Sequence, residues 1–87
     1  MSAGWQYVIH QSALETIESL STVERSQVRR CIEKLLTDPH QQPDAERRSL
    51  RERAIRVRYV GLFCVLYWLD SFVRELRIVG IERVKPK

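Results

Sequence analysis

A chain of 87 residues with a formal net charge of +4 and 44% apolar residues can enclose one small core, so residues 1–87 are read as a single domain. The longest apolar run, Val60–Leu69, falls well short of the roughly 18 residues a membrane span needs, and "MSAGWQYVIHQS" lacks the basic start and hydrophobic stretch of an export signal. A soluble cytoplasmic protein without membrane contact is expected. Cys31 and Cys64 lie in apolar patterns with no His or Cys at metal-ligand spacing, which points to buried reduced thiols, no metal and no other cofactor.

The first apolar pattern is "WQYVIH", Trp5 to His10, in which aromatic and β-branched residues alternate with polar ones as in a strand. Ser12 and Glu15 stand at capping-box spacing, with Leu14, Ile17 and Leu20 on one face behind them, and predict a short helix. A second capping-box pair, Ser21 and Glu24, opens a longer helix whose stripe is Val28, Cys31, Ile32, Leu35 and Leu36. Asp38-Pro39 ends it, because the residue before a proline is pushed out of the helical region. The polar segment His40–Glu46, with Pro43, predicts a loop.

Three strands follow. In "IRVRY" the residues Ile55, Val57 and Tyr59 point one way and Arg56 and Arg58 the other. Gly61 permits a turn, and Leu62–Leu69 is apolar throughout, as expected of a strand covered on both sides. After a turn at Asp70-Ser71, "FVRELRIVGIERV" closes the sheet with Leu76 and Ile78 on one face and Glu75 and Arg77 on the other. The fold class is therefore α+β in the order β-α-α-β-β-β: an antiparallel sheet with a helical hairpin on one face. Arg56 and Arg58 are expected on the face that the helices leave open.

The charge is unevenly spread. Residues 1–44 hold four basic against six acidic side chains, and residues 45–87 hold eleven against five, so the positive field belongs to the second half. Such a field attracts a polyanion or an acidic protein partner. His10 and His40 have no sequence partner that would make either an acid–base group.

The order of elements, the segment "IRVRYVGLFCVLYWLD" and the closing "ELRIVGIERVKP" resemble the RelE/ParE superfamily of toxins from type II toxin–antitoxin systems. The matching residues are Arg56, Arg58, Gly61, Val65, Leu66, Tyr67, Asp70 and Arg83. The resemblance implies a RelE-like toxin domain with a cognate antitoxin as partner. The activity expected from it is that of the RelE-like branch: a metal-independent endoribonuclease, an mRNA interferase that enters the ribosome, cleaves messenger RNA and inhibits translation.

The other branch inhibits DNA gyrase by protein contact, and an attenuated relative retaining only antitoxin or RNA binding is a third possibility. A metal-free nuclease needs cations around the scissile phosphate, and guanidinium is suited to that by its fixed charge and forked geometry. Arg56, Arg58 and Arg83 are the candidate catalytic cations, with Arg51, Arg53, Arg77, Lys85 and Lys87 as RNA-binding candidates. Two departures count against cleavage. Cys64 stands where many RelE-like chains have a further arginine, and "VKPK" follows Arg83 where they have a tyrosine or histidine.

Overall fold

The computed structural model describes residues 4–48 and 53–84. Strand β1 (Gln6–Ile9) leads into helices α1 (Gln11–Glu18) and α2 (Thr22–Thr37), followed by β2 (Ala45–Arg48), β3 (Ala54–Val60), β4 (Phe63–Asp70) and β5 (Glu75–Arg83). The sheet order is β1-β5-β4-β3-β2. Three of its pairings are antiparallel, but β1 runs parallel to β5, so the sheet is mixed and not wholly antiparallel. The helical hairpin carries the chain from β1 at one edge to β2 at the other, and the antiparallel steps from β2 to β5 return it beside β1 running the same way.

The helix starts differ in their chemistry. Ser21 and Glu24 form the expected reciprocal box, with Glu24 N–H donating to Ser21 Oγ at 3.2 Å and Ser21 N–H donating to Glu24 Oε1 at 3.0 Å. The hydrogen bond from the Ser21 backbone is the main reason the Glu24 carboxyl is held below its usual range. Ser12 does not cap α1. That helix begins two residues earlier, behind His10, and Gln11 donates to Glu15 at 3.2 Å instead.

The segment Ala45–Arg48, expected within and just beyond a loop, is an edge strand paired with β3 in the register Ala45↔Val57 to Arg48↔Ala54. "AERR" has no apolar alternation to announce it, and its pairing comes from lying beside β3.

Strand β4 is the centre of the molecule. Phe63, Val65 and Tyr67 face α1 and α2 and join Ala13, Val28, Leu35, Leu76 and Ile78 in the main core. Cys64 and Leu66 face the other way and form a smaller cluster with Val57, flanked by Ala45, Ile55, Val79 and Val84. A bulge in β5 serves this second cluster: Leu66 is opposite Gly80 while Tyr67 is opposite Ile78, so Val79 is the extra residue. A Cβ on Gly80 would lie 3.3 Å from Leu66 Cδ1, which leaves little room for any larger residue there.

Cross-strand partners share a face. Arg58 is opposite Val65 and Arg56 opposite Tyr67, so both arginines lie on the helix-bearing face and not, as expected, on the open one. The alternation along β3 was legible, but β4 is apolar on both sides and does not reveal which side the helices take.

Truncating a well-packed leucine removes its contacts and leaves a cavity, at about 2–5 kcal/mol. Leu35→Ala and Leu66→Ala should both fall in that range in urea unfolding, with Leu35 the larger because it is 1% exposed between helix and sheet whereas Leu66 is 8% exposed on the thinner cluster. Arg83→Ala, removing a cation whose side chain is 59% exposed, should leave the midpoint essentially unmoved in the same assay.

Candidate functional site

Both outer nitrogens of the Arg58 guanidinium have local acceptors. It donates to Asp44 Oδ1 at 3.3 Å, to Gln41 Oε1 at 2.9 Å and to the Gln42 carbonyl. Arg56 donates to the Gln41 carbonyl at 3.2 Å. Both arginines therefore hold the segment that joins α2 to β2. Asp44 completes the hold: its Oδ2 accepts the Tyr59 N–H at 2.8 Å, and its own N–H donates to the Val57 carbonyl at 2.9 Å.

Gln41 links this clamp to the helix end. Its side-chain amide donates to the carbonyls of Lys34 at 3.1 Å and Asp38 at 2.9 Å, satisfying acceptors that a helix C-terminus leaves unpaired. Its carbonyl oxygen receives Arg58 at the same time. Asp44 and Gln41 were not singled out from the sequence, because nothing distinguishes either from an ordinary solvated residue of a polar loop.

Arg83 lies on the same face of the sheet, since its partner is Phe63, but two strands away. From strand spacing and rise, its Cα is about 12 Å from that of Arg58. It sits 3.7 Å from Glu24 and 4.7 Å from the Phe63 ring centroid. Arg56 and Arg58 thus come together, and Arg83 stands apart at the start of α2. Tyr67, beneath the first two, is wholly buried, and its hydroxyl has no hydrogen-bond partner. Burial pushes the phenol upward, and the positive charges of Arg58 and Arg56 oppose that.

The binding candidates lie on the opposite face or outside the described residues. Arg77 pairs with Glu75 at 2.6 Å and Asp70 at 3.5 Å, and the Arg53 guanidinium lies 3.7 Å from the Trp68 ring centroid. Arg51, Lys85 and Lys87 fall outside the described residues. On this open face Cys64 is 1% exposed and opposite Glu82, which is bonded to Arg47 at 2.9 Å. Burial raises the thiols of both Cys64 and Cys31.

If Asp44 ties the segment to β3, Asp44→Ala should cost about 1–2 kcal/mol, the scale of a lost charge-assisted hydrogen bond. The local signature is faster hydrogen exchange at the Tyr59 amide, with the amides of Val65 and Tyr67 unchanged.

No family model and no curated protein matches the chain. Solved structures do resemble it. The isolated Escherichia coli RelE toxin superposes with a TM-score of 0.78 at 10% identity, covering 97% of this chain and 88% of that one. RelE–RelB from Pyrococcus horikoshii OT3 gives 0.76 at 13% identity, over 95% of this chain and 98% of the other. The RelBE2 toxin–antitoxin complex of Mycobacterium tuberculosis gives 0.72 at 16%, over 91% and 96%. The likeness extends over nearly the whole chain at very low identity, and it establishes that this protein has a RelE-like fold.

Proposed function

We propose that the chain is the toxin of a type II toxin–antitoxin pair, held by a cognate antitoxin, and that it works in the cytoplasm by contact with its target and not by cutting RNA. The fold supports the first part, since its solved neighbours include a RelE toxin and complexes of RelE with RelB. The observation that carries the second part is the engagement of the arginines. Arg56 and Arg58 are committed to the 41–44 segment, and Arg83 stands two strands away from them. Transition-state stabilisation needs donors already aimed at one phosphate, and these three do not converge on one.

Position 64 supports the same reading. A buried thiol opposite a carboxylate offers a phosphodiester neither positive charge nor a donor of useful strength.

Contact with DNA gyrase is the form of this mechanism that the resemblance supplies. Cleavage of messenger RNA on the ribosome keeps one observation in its favour, because Arg56, Arg58 and Arg83 occupy one face of the sheet.

Two assays on the same protein separate these mechanisms: cleavage of a defined message on programmed ribosomes, and supercoiling by gyrase. The expected result is no new cuts, with growth inhibition or gyrase inhibition relieved by the antitoxin encoded beside the gene. Ribosome-dependent cuts that fall about 10²-fold in Arg83→Ala, with the fold unchanged, would establish the nuclease instead.

A further inference from the structure

Between α2 and β3, on the helix-bearing side, lies a cleft of about 360 Å³. Arg30 and Lys34 border it from one face of α2, four residues apart and therefore adjacent on the helix surface, and Arg58 borders it from β3. Leu35 and Val60 supply an apolar wall, and Gln41 lies at one side. Arg30 and Lys34 are exposed, and neither forms an ion pair with any described residue. Arg58 enters only as a fixed charge at the border of the cleft: its Nε–H is shielded from solvent near the buried Tyr67 hydroxyl, and its outer nitrogens are taken by residues 41–44.

We infer that this cleft is a binding site for a phosphate monoester, such as a nucleoside monophosphate or the phosphorylated end of a nucleic acid. Charge selects the class. Three cations border the cleft, and Asp44, bonded to the outer nitrogen of Arg58, offsets one of them. The remainder, near +2, suits a phosphate monoester, which carries about −1.5 to −2 at pH 7, better than a singly charged carboxylate. Arg30 supplies the forked donors that fit phosphate oxygens, and Lys34 supplies a mobile point charge. The volume holds more than a bare anion, and the apolar wall gives an organic ester something to lie against. The site stands on the cleft alone, whatever the protein does to its target.

The test is titration of the full chain with inorganic phosphate, adenosine 5′-monophosphate, adenosine, and a short RNA with and without a 5′-phosphate, followed by calorimetry and by NMR of the arginine Nε–H signals. Adenosine 5′-monophosphate should bind, adenosine should not, and the Arg30 Nε–H signal, assigned by its loss in Arg30→Gln, should shift on binding. In the double variant Arg30→Gln, Lys34→Gln, whose positions are exposed and outside the core, affinity should fall at least about tenfold. RNA that needs its 5′-phosphate and binds more tightly than the mononucleotide would identify a nucleic-acid end as the source. Equal affinity would identify the mononucleotide. Equal binding of adenosine and its monophosphate, no binding of any phosphate ester, or unchanged affinity in the folded double variant would overturn the assignment.

Discussion

The constraint on which the rest of this molecule depends is that β4 is apolar on both faces. Five consecutive residues, Phe63 to Tyr67, are buried. A strand of that kind is stable only when both of its sides are kept from water. The helical hairpin covers one side, and most of the fully buried side chains lie there. Among the described residues there is no second pair of helices for the other side, so β3 and β5 supply it from within the sheet. Val57, Ile55 and the bulged Val79 close around Cys64 and Leu66, and Gly80 makes the room. The bulge is thus what allows β5 to serve two cores at once: Ile78 and Ile81 belong to the helix side, and Val79, between them, to the open side.

The same economy explains the arginines. Where the helices stop short of the sheet edge, a segment of chain takes their place, and polar groups hold it. Arg56 and Arg58 bridge β3 to backbone and side-chain oxygens of residues 41–44, while Gln41 satisfies the end of α2. Loss of one partner would leave a charge or a carbonyl short of its bonds in a half-buried setting, where the penalty exceeds the net worth of the bond. These bonds keep the α2–β2 connection against the sheet edge and so define the end of the cationic cleft.

The parts of the fold that were legible in the sequence are those in which a pattern and its physical meaning coincide. The Ser21–Glu24 box, the α2 stripe, the Asp38-Pro39 stop and the strand character of β3, β4 and β5 are local, and they stand as expected. Ser12 is not the cap because the helix already starts behind His10, which puts Ser12 inside the first turn and leaves Glu15 to accept from Gln11. Edge strand β2 and the parallel partnership of β1 were not legible, since each is decided by a neighbour distant in sequence. The face of Arg56 and Arg58 was hidden for a related reason: strand alternation separates two faces but does not say which is covered. Of the candidate site, the arginines were visible as residues, whereas their partners Gln41 and Asp44 had no signal at all.

The open face carries the argument about activity one step further. An arginine at position 64 would place a guanidinium among Val57, Leu66 and Val79, and keeping it charged there requires paired acceptors. Cys64 avoids that cost and lets the apolar cluster close. Above it, Glu82 and Arg47 neutralise one another at 2.9 Å, each about half exposed. Positive charge on this face is therefore consumed locally, by Glu82 for Arg47 and by Asp70 and Glu75 for Arg77. A surface whose cations are already paired attracts phosphate weakly, whereas unpaired cations keep their full field. Arg30 and Lys34, which pair with no acid among the described residues, are in that second condition, on α2 and away from the open face. Two different economies thus operate in one small domain: the sheet spends its arginines on holding the fold together, and the helix keeps its cations for whatever anion arrives.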